Sequence, residues 1–132
     1  MCRVLLVEDE PLIAMMLEDE ITDRGHTVVG IATSVVDALR LINRTVPDVA
    51  VVDYQLSDGN CHEVTRALER HGIAFVLLTG ALIEKSDTRF ANVEVLAKPV
   101  DIDRLMAVLM RLRHWTIGPR PGHQSDVPAQ CL

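Results

Sequence analysis

The chain has 132 residues, of which 48% are hydrophobic and only four are aromatic, and its formal net charge is −6. This length predicts one domain with a sizeable core, and the scarcity of aromatic rings argues against a base-stacking platform for nucleic acid. The excess of acids argues against duplex DNA and anionic membranes as partners, because these side chains would not neutralise either surface. Three widely spaced cysteines and the lack of a long apolar run predict a cytoplasmic protein.

The first half of the chain predicts two strands, each followed by a helix. Arg3 to Val7 is a short apolar run typical of a strand, and Pro11 then suits the first turn of a helix that ends at Gly25. Thr27 to Ala32 predicts the second strand, and Ser34 begins the second helix. The apolar positions that recur at helical spacing are Leu12, Ile13, Met16, Leu17 and Ile21 in the first helix and Val35, Ala38, Leu39 and Ile42 in the second.

The second half repeats this alternation three times. Val49 to Asp53 is an apolar run that ends at a carboxylate, which predicts a strand buried on both faces. The polar residues 57–60, including Asp58-Gly59, predict a simple turn before a third helix. Residues 73–78 and 93–97 predict the fourth and fifth strands, and Asp101 caps a last helix. The predicted inward residues are Val64, Ala67 and Leu68 in the third helix and Ile102, Leu105, Met106, Leu109 and Leu112 in the last.

Five strands alternating with helices predict an α/β fold, a doubly wound (βα)5 flavodoxin-like parallel sheet with strand order 2-1-3-4-5. Residues 84–92 show no clear apolar stripe, so the fourth helix is expected to be short or disordered. We expect one domain over residues 1–114. Residues 115–132 contain three prolines and no periodicity, and they are expected to form a flexible tail without an output domain.

Polar side chains follow four of the five strands: Glu8-Asp9, Asp53, Thr79 and Lys98. In the predicted sheet these ends gather at one rim, where two carboxylates about 4 Å apart repel by roughly 4 kcal/mol at an effective dielectric constant near 20. Mg²⁺ suits such an oxygen-rich cluster. With the ion bound, Asp53 can attack phosphorus and form an aspartyl phosphate, while Lys98 and Thr79 stabilise the transferring group. Taken alone, an aspartate at the end of a strand, such as Asp53, commonly caps the next turn. A lysine at the end of a strand, such as Lys98, is also common without a functional role.

This combination resembles the receiver domain of two-component response regulators (CheY-like) over roughly residues 3–113. The resemblance implies that Asp53 accepts a phosphoryl group from a histidine kinase or a histidine phosphotransfer protein. It also implies Mg²⁺ held by Asp9, Asp53 and the backbone carbonyl of Gln55, with Glu8 acting mainly through water. The motifs that carry the resemblance are Glu8-Asp9, Asp53, Thr79 and Lys98-Pro99.

The chain departs from the receiver pattern at three places. Ser57 stands where receivers usually have proline after the acceptor, and Val95 stands where they usually have an aromatic residue three positions before the lysine. The segment between Thr79 and Lys98 is also short. Together with Phe75 and residues 77–80, this shortening is similar to the FATGUY subgroup of stand-alone receivers. We therefore expect residues 84–92 to change their ordering when Thr79 engages the phosphoryl group.

Several functions remain open at the level of sequence. The first is a single-domain response regulator that catalyses only its own phosphorylation and dephosphorylation, and whose phosphorylated surface is bound by a protein target; a homodimer is left open. The second is a phosphorelay intermediate. The third is a metal-dependent phosphatase with an aspartate nucleophile, but phosphatases of the haloacid dehalogenase type have a second aspartate where this chain has Gln55. The fourth is a flavin or nucleotide binder, but the acidic residues 8–10 would repel the phosphate of such a ligand. The five histidines lack metal-ligand spacing, and Cys61 is interpreted as inert packing.

Overall fold

The computed structural model describes residues 2–80 and 93–115. Within these ranges the chain forms seven strands and four helices. None of these helices is long and apolar enough to cross a bilayer. In chain order the elements are β1 (Arg3–Val7), α1 (Pro11–Asp23), β2 (Thr27–Ala32), α2 (Val35–Thr45), β3 (Val49–Asp53), β4 (Gln55–Leu56), β5 (Gly59–Asn60), α3 (His62–Arg70), β6 (Ala74–Thr79), β7 (Glu94–Ala97) and α4 (Ile102–Trp115).

Five of the strands form one parallel sheet with the order β2-β1-β3-β6-β7. This confirms the predicted doubly wound topology, because β6 and β7 are the fourth and fifth long strands of the chain. The order reverses between β1 and β3, where Val7 pairs with Val52. A crevice at the carboxyl ends of the strands is expected at such a reversal.

Two apolar layers cover the sheet, one on each face. Alternate residues of β1 point to opposite faces, so that Leu5 and Val7 pack with α2 and α3, whereas Val4 and Leu6 pack with α1 and α4. Every residue of β3 is buried, as predicted for a central strand. The buried residues of α3 include Val64, Ala67 and Leu68, and those of α4 include Leu105, Met106 and Leu109, as predicted.

The prediction for helix α1 is wrong at two positions. Leu12 and Met16 were expected to face inward, but they are 79% and 58% exposed, and Met15 beside them is also exposed. The buried residues of α1 are instead Ala14, Leu17 and Ile21. A helix buries only the side that faces a neighbouring layer, and in α1 that side carries Ile13, Leu17 and Ile21.

The segment after β3 also differs from its prediction. Instead of a simple turn, residues 55–60 form a short antiparallel hairpin of β4 and β5. The backbone amides of Val35 and Val36 donate to the Asp58 carboxylate at 2.8 and 3.4 Å, so Asp58 caps the start of α2. Ser34 is the predicted N-cap and accepts from the amide of Asp37. Helix α4 includes Trp115, one residue beyond the predicted boundary, and residues 84–92 and 116–132 lie outside the described part of the chain.

Candidate functional site

The site lies where β1, β3, β6 and β7 end side by side. Strand register places Asp53 opposite Leu78 and Thr79 opposite Ala97, one residue before Lys98. The amide of Lys98 donates to the carbonyl of Thr79 at 2.8 Å, which continues the ladder past the end of β7. The sheet itself therefore positions the polar residues that follow the strands.

Three charged side chains are in direct contact at the centre of the site. The Lys98 ammonium lies 2.8 Å from Oδ2 of Asp53 and 3.2 Å from Oε1 of Glu8. Asp53 is 5% exposed and Glu8 is 1% exposed, so both carboxylates are largely removed from water. One ammonium is thus shared between two buried acids. Charge-assisted contacts of this kind strengthen as the surrounding water is excluded.

The pKa values of Glu8 and Lys98, which are in contact, are both shifted. The pKa of Glu8 is raised to about 7, mainly by burial and also by the hydrogen bond and negative charge of Asp53, while the Glu10 amide and Lys98 oppose the rise. Burial lowers the pKa of Lys98, but the hydrogen bond from its ammonium to Asp53 and the two nearby carboxylates outweigh this and raise it above its ordinary value. Lys98 therefore stays charged at neutral pH, while Glu8 titrates there.

Two further groups surround this centre. The amide of Gln55 donates to Oδ1 of Asp53 at 3.2 Å, and Gln55 itself is exposed in β4. Thr79 is buried at the end of β6. Asp9 is half-buried, and its carboxylate lies in a group with those of Glu8 and Glu10 whose oxygen atoms fall within 4.8 Å of one another. Glu8 belongs both to this group and to the contact with Lys98.

Comparison with known proteins identifies the family and the fold of this chain. A family model for the response regulator receiver domain matches residues 4–110. The chain belongs to this receiver family. The predicted resemblance is therefore confirmed at the level of the family, whereas membership of the FATGUY subgroup stays a prediction.

Similar proteins include receivers from several bacteria. The solution structure of SdrG from Sphingomonas melonis Fr1 aligns with a TM-score of 0.72 and 39% identity over 83% of this chain and 94% of that one. The signal receiver domain of a modulated diguanylate cyclase from Desulfovibrio desulfuricans G20 aligns with a TM-score of 0.78 and 26% identity over 87% and 95%. The phyllosphere-induced regulator PhyR of Methylorubrum extorquens is 40% identical over 59 residues, which are 44% of this chain and 22% of PhyR. The chain spans less than two thirds of the length of each of the first curated relatives that it matches.

The residues of this receiver fit the Mg²⁺ that such domains bind at an acidic pocket. The donors are carboxylate and carbonyl oxygens, which are the ligands that Mg²⁺ prefers. Within the described ranges, Oε1 of Glu8 is buried and accepts no hydrogen bond, although it lies near the Lys98 ammonium. Two buried acids that share one lysine leave net negative charge at this rim, which a divalent cation would neutralise.

The sequence predicts that Glu8 lies at the rim, but the resemblance, which implies that Glu8 acts mainly through water, does not predict its direct contact with Lys98. In this receiver its side chain is in direct contact with Lys98, and its Oε2 accepts from the amide of Glu10 at 3.2 Å. The sequence signal that could have indicated this contact is the position of Glu8 directly after the buried strand β1. A residue that follows a buried strand lies at the rim of the sheet.

The Asp58 cap is the second feature that sequence reasoning missed. The contact joins residues 23 positions apart, and no local pattern predicts it. The Asp-Gly pair indicated a turn, but it did not indicate which groups the carboxylate would meet. Val95, which stands where receivers usually have an aromatic residue, is half-buried beside Leu77 in the sheet and packs against the layer of α2 and α3.

Proposed function

We propose that Asp53 is the residue of this receiver that accepts a phosphoryl group from a histidine kinase or a histidine phosphotransfer protein. The observation that carries this proposal is the buried Asp53 carboxylate, held at 2.8 Å by Lys98 at the point where the strand order reverses. An ion pair with no chemical role is seldom buried at such a rim, because removing two charges from water is costly. The phosphorylated surface is then bound by a protein target.

The geometry supports an attack by one carboxylate oxygen of Asp53 on phosphorus. The amide of Gln55 holds Oδ1 and Lys98 holds Oδ2, so the carboxylate is fixed in orientation before the donor arrives. As the oxygen–phosphorus bond forms, the bond from phosphorus to the donor's imidazole nitrogen breaks, and the imidazole leaves with the electron pair. Lys98 can then bind a phosphoryl oxygen, and the hydroxyl of Thr79 can donate to another.

The proposed Mg²⁺ ligands are Asp9, Asp53 and the backbone carbonyl of Gln55, with Glu8 acting mainly through water. When bound, the ion would supply positive charge to the oxygens of the transferring group. The added phosphoryl group brings about −1.5 to −2 charges into a site that already contains two buried acids. This charge is the change that a protein target would sense.

The test is to incubate the protein with phosphoramidate or acetyl phosphate and Mg²⁺, and to measure its intact mass. We expect the wild type to gain the mass of one phosphoryl group and Asp53→Asn to gain none. Glu63→Gln, which removes an exposed acid of α3, is the matched control and is expected to behave as the wild type. Equal labelling of Asp53→Asn and wild type would refute the assignment.

Two further measurements separate the alternative functions. Transfer of the phosphoryl group onward to a histidine protein would favour a phosphorelay intermediate. Multiple turnovers of a small phosphate ester would instead favour a phosphatase.

A further inference from the structure

The hairpin that follows Asp53 contains a residue with no role in the chemistry above. Residues 55–60 pair as Gln55 with Asn60 and Leu56 with Gly59. Leu56 is buried in the layer of α2 and α3, whereas residues 57–60 are exposed at the tip. A two-stranded hairpin of this length is marginal by itself. Leu56 holds one strand of the hairpin in the core, and contacts of the tip with the rest of the chain decide how firmly the remainder is held.

Asp58 supplies the strongest of these contacts. Its Oδ1 accepts from the amide of Val35 at 2.8 Å and its Oδ2 accepts from that of Val36 at 3.4 Å. The first amides of a helix lack partners inside the helix, so a carboxylate placed there satisfies them and meets the positive end of the helix dipole. The hydroxyl of Ser57 also donates to the carbonyl of Thr33 at 3.3 Å. The tip is thus bonded to the β2–α2 connection.

We propose that Asp58 is a positioning residue that sets the Mg²⁺ affinity of the site by fixing the hairpin that carries Gln55. This inference rests on the proposed function, in which the Gln55 carbonyl is a ligand of the ion. Gln55 and Asp58 belong to one six-residue hairpin, and the amide of Gln55 already holds Oδ1 of Asp53. A hairpin that moves freely would lose both the orientation of Asp53 and the position of the carbonyl.

The sequence of the loop makes this contact more important than it would be in other receivers. Ser57 stands where the family usually has proline, so the backbone of the loop is less restricted in the unfolded and metal-free chain. A contact from outside the loop must then supply the rigidity. The same contact links the metal site to α2, so Mg²⁺ binding should in turn protect the amides of Val35 and Val36 from exchange.

The experiment compares Asp58→Ala, Asp58→Asn and Ser34→Ala with the wild type. Ser34→Ala is the matched control, because it removes the other side-chain cap of α2, at the amide of Asp37, without touching the hairpin. Mg²⁺ affinity is measured by calorimetry, and amide exchange is measured in the metal-free proteins at Cys61, whose amide donates to the carbonyl of Tyr54 across the base of the hairpin.

We expect Asp58→Ala to weaken Mg²⁺ binding about tenfold, at the lower end of the effect of residues that orient metal ligands. Asp58→Asn keeps one acceptor oxygen and is expected to recover part of the affinity, while Ser34→Ala keeps the affinity of the wild type. Exchange at Cys61 should be fastest in Asp58→Ala, intermediate in Asp58→Asn, and the same in Ser34→Ala as in the wild type.

Two outcomes separate the failure of this inference from that of the proposed function. In the first, the wild type binds Mg²⁺ and is phosphorylated, but Asp58→Ala binds Mg²⁺ as tightly as the wild type, or Ser34→Ala loses as much Mg²⁺ affinity as Asp58→Ala. The positioning role is then refuted and the proposed function stands. If the wild type neither binds Mg²⁺ nor accepts a phosphoryl group, both are refuted.

Discussion

Replacing Glu8 by glutamine removes one negative charge from the site while it keeps the size of the side chain. Burial together with Asp53 raises the pKa of Glu8 from 4.5 to about 7. At about 1.4 kcal/mol for each pKa unit, ionising Glu8 costs about 3.5 kcal/mol more in the metal-free fold than in the unfolded chain. Glu8→Gln avoids this cost, so we expect the variant to be more stable than the wild type wherever Glu8 of the unfolded chain is ionised.

The sign of the pH dependence follows from proton binding. Between pH 4.5 and about 7 the folded protein keeps the proton of Glu8 while the unfolded chain has released it. The free energy of unfolding of the wild type therefore falls as the pH rises through this range. The advantage of Glu8→Gln should be small at about pH 4.5 and should approach about 3.5 kcal/mol above about pH 8.

Urea unfolding in the presence of a metal chelator measures this difference at each pH. Glu10→Gln is the matched control, because Glu10 is an exposed acid of the same cluster, and it is expected to change the free energy of unfolding by less than about 0.5 kcal/mol. An advantage of Glu8→Gln that is the same at about pH 5 and about pH 8.5 would show that ionisation of Glu8 does not strain the fold.

Three further predictions concern the scaffold around the site. Val46 at the end of α2 has φ 43°, a conformation that costs a β-branched residue about 1–2 kcal/mol. Glycine adopts this conformation without that cost, so Val46→Gly should raise the urea midpoint of unfolding, and a lower midpoint would contradict this. Leu77 is fully buried in the sheet, so Leu77→Ala should lower the free energy of unfolding by about 2–5 kcal/mol. Leu12 is 79% exposed, so Leu12→Ala should change it by less than about 0.5 kcal/mol. Equal losses of stability in thermal unfolding of the two variants would argue against the packing described. The hydrogen bond from the Val35 amide lowers the pKa of Asp58 below 3.8. The contribution of the Asp58 carboxylate to stability is therefore present above pH 3.8 and is lost as the pH falls through the lowered pKa. An NMR titration in which the Asp58 carboxyl shows an ordinary or raised pKa would exclude the cap.

The sequence by itself determined the order and type of the main elements. The first three long strands begin and end where the apolar runs predict. A continuous apolar run is required in β3, which is buried on both faces. The acids, the hydroxyl and the ammonium could be predicted to meet, since parallel strands end at a common rim and the family pattern names the same positions. Ser34 and Asp101 were predictable as caps because their bonds are local.

Only the tertiary structure decided what depends on neighbours that are distant along the chain. Leu12 and Met16 have helical spacing, but their burial depends on whether another element packs against their side of α1. Asp58 meets the start of α2 because the hairpin folds back on it, and Glu8 shares Lys98 with Asp53 because three separate strands end together. Periodicity and local hydrogen bonds are properties of a short segment, whereas burial and charge pairing arise only when the segments pack.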